Sequence, residues 1–125
     1  MSAEFIVSKK APAAVGHYSH AVKHGGIVYL SGQIAINPVT GKLEGSDIKT
    51  QTKRVILNLK AVLEDSGSSI DKALKVCVYL KDMKDFQKFN EVYSEYFARK
   101  PARSAFQVAA LPKDALVEID VIAEG

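Results

Sequence analysis

The chain has 125 residues, of which 47% are hydrophobic and 25% charged, and its net charge is +3. This length predicts one globular domain over residues 1–125, and the interleaved charges lack the Lys/Arg run of a nucleic-acid-binding tail. A single cysteine, Cys77, excludes an intramolecular disulfide, and the N-terminal residues lack a long apolar stretch. We therefore expect a cytoplasmic protein without a signal peptide or membrane span.

The first half of the chain predicts three strands and a helix. Gly25-Gly26 is a two-residue hairpin signal between two β-prone runs. Ser46 is expected to cap the helix, whose apolar residues recur at the 3.6-residue period, and Gly67 suits its left-handed end. The predicted segments are strands over residues 5–7, 21–24 and 27–31, a turn over residues 37–41 and a helix from Ser46 to about Ser66-Gly67.

The second half predicts a strand, a helix and two further strands. Residues 73–80 alternate between apolar and mixed positions, which is typical of a strand. Asp82 opens a second helix with an aromatic stripe at helical spacing, and Pro101 ends it. The remaining predicted elements are strands over residues 103–108 and 116–123, and the aromatic stripe consists of Phe86, Phe89, Tyr93, Tyr96 and Phe97.

The order β-β-β-α-β-α-β-β predicts a two-layer α+β domain. Two amphipathic helices are enough to cover one face of a mainly antiparallel or mixed sheet. The other face is not clearly polar, and monomers rarely leave such a contiguous patch exposed to water. We therefore expect self-association to bury it. The residues expected on that face are Ile27, Tyr29, Cys77, Tyr79, Leu116 and Ile122.

Arg103 opens its strand on the same face as Ala105 and Gln107, with Phe106 on the opposite face. An arginine held on a rigid element can receive a carboxylate with two parallel hydrogen bonds. A solvated surface ion pair is the alternative explanation.

Glu118 and Asn90 are polar residues within apolar patterns. Alternation places Glu118 and Asp120 on the face that we expect another subunit to cover, where burial can raise the pKa of Glu118 enough for proton transfer. An ion pair across the interface is the alternative. Asn90 lies between Phe89 and Tyr93, and such an amide needs hydrogen-bond partners, so we expect it to pin a neighbouring loop.

Five segments, taken together in this order, resemble the signature blocks of the Rid (reactive intermediate deaminase) family of enamine/imine deaminases. The resemblance extends from about residue 11 to residue 123. The segments are Gly16–Val22, Ser31–Ile34, Asn90–Tyr93, Pro101–Val108 and Val117–Asp120.

The resemblance implies a chorismate-mutase-like fold and a homotrimer whose active sites lie between subunits. It implies that Arg103 holds the carboxylate of an imino acid and that Glu118 activates or orients the hydrolytic water. It also places Tyr18 and Ser31 in the ligand pocket and Asn90 beside it. The implied substrates are 2-enamine/2-imine acids such as 2-aminoacrylate and 2-iminobutanoate, which become 2-oxo acids and ammonia.

Three residues depart from the usual pattern of the family. His17 stands where proline is usual, His20 where glutamine is common and Ala105 where many members have cysteine. Ala105 can therefore contribute to the site only through its backbone groups. The two histidines flank the pocket loop and could change its stiffness.

Two other functions remain open, and neither a cofactor nor a metal is expected. Some relatives of the family are linked to single-stranded RNA cleavage or translation inhibition, although the mild charge argues against a nucleic-acid partner here. A module that binds a small carboxylate without turnover would use the same arginine. His17, His20 and His24 do not have matching partners for a zinc site.

Overall fold

Six strands and two helices follow one another in the predicted order. A computed structural model describes residues 2–125. Three short 3-10 turns, at Ile70–Lys72, Met83–Asp85 and Pro112–Asp114, complete the connections. The elements are β1 (Glu4–Ile6), β2 (Ala21–His24), β3 (Ile27–Leu30), α1 (Ile48–Asp65), β4 (Ala73–Leu80), α2 (Phe86–Tyr96), β5 (Ala102–Gln107) and β6 (Val117–Glu124).

The strands form one mixed sheet in the order β1-β2-β3-β6-β4-β5. Strands β4 and β5 are parallel, since helix α2 carries the chain back between them, and every other neighbouring pair is antiparallel. Both helices pack on one face of this open sheet. The predicted two-layer α+β fold is confirmed.

Alternation along the central strands decides which side chains form the core. Val76, Val78 and Leu80 of β4 are fully buried under the helices, as are Val117 and Ile119 of β6. The residues between them, Glu118 among them, point to the open face, as the sequence predicts. Chain reversal between β2 and β3 uses Gly25 and Gly26 at φ of 61° and 79°, which fits the predicted tight hairpin.

The C-terminal end of helix α1 agrees with the prediction, but the N-terminal cap differs from it. Asp47, not Ser46, is the N-cap, because its backbone is extended and its Oδ2 accepts a hydrogen bond from the Thr50 N–H at 3.0 Å. At the other end Gly67 adopts φ of 78°, and the Ser68 N–H reaches back to the Leu63 carbonyl at 2.8 Å. This is the expected left-handed stop.

The open face carries exposed aromatic side chains. Phe5 is 69% exposed, Tyr29 48% and Phe106 53%, and the Phe106 ring stacks on Tyr79 with centroids 6.5 Å apart. The expectation for Leu116 is wrong: it packs against the core beside the start of α1, because β6 begins only at Val117 and its alternation does not reach residue 116. Over residues 2–125 no helix is long and apolar enough to cross a membrane.

Candidate active site

Arg103 is held on strand β5 by three side chains of helix α2. Its Nη1 donates a hydrogen bond to Oδ1 of Asn90 over 2.7 Å. The guanidinium carbon lies 5.3 Å from the ring centre of Phe86 and 4.8 Å from that of Tyr93, within cation–π range. Within the described chain Arg103 forms no ion pair, so it keeps donors for an external carboxylate.

Asn90 therefore has a different partner from the one expected. The sequence predicted that its amide would pin a loop, but its carbonyl oxygen accepts from Arg103 instead, because residues 86, 90 and 93 share one face of α2 and that face meets β5. A cavity of about 480 Å³ lies beside this group. Its walls also include Lys100, a second cation, so this cavity suits an anion.

Glu118 lies on the open face, and its carboxylate lies against Gly32, which has no side chain. The Gln33 and Ile119 backbones exchange two hydrogen bonds of 2.9 and 3.1 Å, which bring Gly32 beside Glu118. A Cβ at Gly32 would lie only 2.3 Å from the Glu118 carboxylate oxygen Oε2. The group that approaches this glycine is therefore the Glu118 carboxylate.

The carboxyl group of Glu118 is suited to proton transfer. Burial raises its pKa above the usual value for a glutamate, and the neighbouring charge of Asp120 raises it further. Asp120 in turn accepts a hydrogen bond from the Tyr79 hydroxyl over 2.9 Å. Burial, and then this bond, raises the pKa of Tyr79, so the phenol stays neutral and keeps donating.

A second cavity joins Glu118 to the loop that carries Tyr18. It encloses about 280 Å³, and its polar lining residues are Tyr18, Gln33, Lys113 and Glu118. Lys113 was not predicted as a site residue, and it stands at φ of 55° within the turn before β6. The Leu-Pro-Lys turn was the signal available, but its left-handed residue could not be read from the sequence.

Arg103 and Glu118 of one chain do not share a pocket. Arg103 aligns with Val76 of β4, whereas Glu118 aligns with Tyr79, and the two side chains point to opposite faces of the sheet. Two strand spacings and three residues along the strands separate their Cα atoms by about 14 Å. The predicted residues thus form two groups, with Arg103 and Asn90 in one and Tyr18 and Glu118 in the other.

Ser31 and Ala105 lie beside these groups without lining either cavity. The Ser31 hydroxyl donates to the Ser19 carbonyl over 2.7 Å and fixes the loop that carries Tyr18. Ala105 lies on the helix-facing side of β5, where its side chain packs against the core.

The three histidines do not come together. His20 is 1% exposed; its Nδ1 accepts from the Ser8 N–H over 2.8 Å, and its Nε2 donates to the Pro12 carbonyl over 2.7 Å. His17 and His24 are exposed on the loop and the hairpin. Among residues 2–125 no three His, Cys, Asp or Glu side chains are grouped so that they could hold a metal ion.

Comparison with known proteins assigns the family. The family model described as Endoribonuclease L-PSP matches residues 8–125. The chain belongs to this family. It is 54% identical over 124 residues to a RutC family protein of Pyrococcus abyssi, and the alignment covers 98% of each chain.

Two further relatives extend the match to the Rid branch and to solved structures. Reactive Intermediate Deaminase A, chloroplastic, of Arabidopsis thaliana is 43% identical over 121 residues, covering 96% of this chain and 65% of that protein. The crystal structure of E. coli TdcF with bound serine superposes with a TM-score of 0.93 at 37% identity, covering 98% of each chain. The predicted resemblance to the Rid family is confirmed.

Proposed function

We propose that this L-PSP family member is a deaminase that hydrolyses 2-enamine/2-imine acids to 2-oxo acids and ammonia. The observation that carries the proposal is Arg103, a guanidinium fixed by two rings and an amide and left without a carboxylate partner. The Arabidopsis relative is named a reactive intermediate deaminase, and the TdcF structure holds serine, a small amino acid. Both support a small carboxylate as the ligand.

Each group has one task in the proposed reaction. Arg103 holds the substrate carboxylate through two parallel hydrogen bonds. Tyr18 closes over the substrate, and Ser31 and Ala105 shape the loop and strand around it. Glu118, as a carboxylate, takes a proton from the attacking water while the water oxygen bonds to C2 of the protonated imine. No cofactor is needed, because protonation already makes that carbon electrophilic.

The remaining steps return Glu118 to its starting state. The C=N bond becomes a C–N single bond, and Glu118 passes its proton to the nitrogen. The ionised carboxylate then accepts the hydroxyl proton, the carbonyl group forms, and the C–N electron pair leaves with ammonia. Ammonia takes up the last proton, so that a protonated imine and water give a 2-oxo acid and ammonium.

We propose that the site forms between two copies of the chain, one supplying Arg103 and Asn90 and the other Tyr18 and Glu118. The separation of these groups across the sheet supports this assembly, as do the exposed aromatic rings of the open face. A homotrimer is the assembly that the resemblance to the Rid family implies. We place the protein in the cytoplasm, where an unpaired thiol such as Cys77 stays reduced.

Subunit mixing tests both proposals together. Arg103→Ala and Glu118→Gln should each abolish the acceleration of pyruvate release from 2-aminoacrylate. When the two variants are unfolded together and reassembled, about a quarter of the sites combine both wild-type residues, so about a quarter of the activity should return. If either single variant is still active, the proposed deaminase mechanism is contradicted. If wild type is active but mixing the variants restores no activity, the shared site is contradicted.

Two narrower substitutions separate the roles of these residues. Arg103→Lys keeps the charge but loses the planar fork, so it should weaken substrate binding strongly. Glu118→Gln should lower kcat while leaving the binding of pyruvate intact, because it removes a proton carrier and not a carboxylate receptor. If Glu118→Gln changes neither kcat nor the binding of pyruvate, the site binds a small carboxylate without catalysing a reaction through Glu118.

RNA cleavage is a second candidate, because the matching family model is described as an endoribonuclease. It requires cations that contact phosphates and a residue for proton transfer. Protein freed of contaminating nucleases should be assayed on single-stranded RNA beside the Arg103→Ala and Glu118→Gln variants. Cleavage that survives in Arg103→Ala and is lost in Glu118→Gln would favour an RNA substrate over an imino acid.

A further inference from the structure

The cavity beside Arg103 carries two positive charges, because Lys100 also lines it. Among residues 2–125 no Asp or Glu lines this cavity, and neither Lys100 nor Arg103 forms an ion pair. Two unpaired cations at one cavity favour a ligand with two anionic groups over a ligand with one. The polar lining residues are Asn90, Tyr93, Ser94, Lys100 and Arg103.

A left-handed turn holds Lys100 at the wall of this cavity. Lys100 lies between helix α2 and strand β5 and has a φ of 55°, a conformation that costs energy for any residue with a Cβ. Its N–H donates to the Phe97 carbonyl over 3.1 Å, and Pro101 follows directly. A glycine would adopt the same φ without strain, so a lysine in this place indicates a role for its side chain.

Lys100 and Arg103 are close enough to bind the two ends of one small dicarboxylate. Three residues along the chain separate their Cα atoms by at most about 11 Å, and both long side chains line the same cavity. The two carboxyl carbons of a five-carbon dicarboxylic acid lie about 5 Å apart, which two such side chains can span. The cavity encloses about 480 Å³, a volume typical of small-molecule sites.

We propose that Lys100 receives a second carboxylate of the substrate, so that the enzyme prefers 2-imino dicarboxylic acids over neutral imino acids of the same length. The inference rests on the proposed deaminase function and adds the substrate class. Arg103 holds the carboxylate next to C2, and Lys100 contacts the carboxylate at the other end of the molecule. Because Lys100 is exposed and solvent screens its charge, the expected preference is about fivefold.

The binding of 2-oxo acids, the products of the proposed reaction, tests the preference without depending on turnover. 2-Oxoglutarate and 2-oxopentanoate share a five-carbon chain and differ only in the second carboxylate. Their dissociation constants would be measured by ligand-observed NMR on the full chain at low ionic strength. Lys100→Met removes the charge at similar length, and Lys100→Glu reverses it. Arg99→Met is the matched control, because Arg99 is the adjacent exposed cation and does not line the cavity.

We expect wild type and Arg99→Met to bind 2-oxoglutarate about fivefold more tightly than 2-oxopentanoate. In Lys100→Met the two dissociation constants should be about equal, and Lys100→Glu should bind 2-oxopentanoate more tightly. Equal binding of the two acids by wild type, or a preference that survives in Lys100→Met, would overturn the role of Lys100. So would an equal loss of preference in Arg99→Met, since net charge and not Lys100 would then attract the second carboxylate.

A parallel assay separates this inference from the deaminase function on which it rests. An amino-acid oxidase would generate the imines of glutamate and norvaline, with semicarbazide trapping whatever the protein leaves unhydrolysed. Wild type should show a kcat/KM about fivefold higher for the glutamate-derived imine. Hydrolysis of both imines without that preference would overturn the substrate class alone. Acceleration of neither imine would overturn the deaminase function, whatever the two 2-oxo acids show.

Discussion

Gly32→Ala is the substitution whose effect the structure specifies most closely. The added Cβ would lie 2.3 Å from Oε2 of Glu118, 3.0 Å from its Cδ and 3.2 Å from its Cγ. Gly32 does not have a positive φ, so alanine fits its backbone conformation. All three of these nearest atoms belong to the Glu118 side chain, which is half-buried and ends in a flexible carboxylate.

The size of that movement sets the expected loss of activity. Ordinary contact between heavy atoms is near 3.5 Å, so the carboxylate must retreat by about 1 Å. A displacement of that size at a catalytic group can lower the rate ~100-fold, or about 2.7 kcal/mol of transition-state stabilisation. Stability should not fall, because alanine restricts the unfolded chain more than glycine does.

The assay compares kcat/KM for imine hydrolysis and the thermal unfolding midpoint of four proteins. They are wild type, Gly32→Ala, Glu118→Gln and the double variant. If alanine acts by displacing Glu118, the double variant loses no more activity than Glu118→Gln alone. Gly16→Ala is the control, since its Cβ would lie an ordinary 3.4 Å from the Tyr18 ring. Unchanged activity in Gly32→Ala, or additive losses in the double variant, would refute the reasoning.

Three further predictions follow from the charges and hydrogen bonds of the site. Asp120→Asn removes a charge that raises the pKa of Glu118, so the acid limb of the kcat/KM–pH profile should move to lower pH; an unmoved limb would contradict this. The pKa of Glu118 in the folded state lies above its unfolded value near 4.5, so ionisation of Glu118 destabilises the fold as the pH rises. In urea titrations from pH 4.5 upward, the unfolding free energy of Glu118→Gln should therefore increase relative to that of wild type. His20→Ala should cost about 2–4 kcal/mol in the same titrations, since it leaves the Ser8 N–H unpaired, whereas His20→Gln can both accept and donate and should cost less; equal costs would contradict the hydrogen-bond argument.

Local patterns in the sequence predicted the fold well because each pattern has a local cause. Gly25-Gly26 predicts a tight hairpin since only glycine adopts two left-handed conformations without strain. The helix cap was less determined, because Ser46 and Asp47 are both good N-caps and only the backbone of the folded chain selects between them. Leu116 was misplaced for a related reason, since strand alternation holds only within the strand.

The candidate site was less predictable, because its contacts join distant segments. The stripe of Phe86, Asn90 and Tyr93 is visible in the sequence, but that it closes around Arg103 depends on the parallel pairing of β4 and β5. Lys113 was missed, because its place at the second cavity follows from a left-handed turn that non-glycine residues seldom adopt.

In the assembly that we propose, the open face of the sheet would link assembly to catalysis. Glu118 has its raised pKa on a face whose neighbouring aromatic rings, Tyr29 and Phe106, are still exposed in one chain. A second chain packed on this face would bury the rings and remove further water from around Glu118. The same contact would bring in the guanidinium of Arg103, which its own chain holds on the far side of the sheet. Under the assembly that we propose, one contact buries apolar surface and brings the carboxylate receptor to Glu118. Conditions that dissociate the oligomer should therefore abolish activity while each chain is still folded.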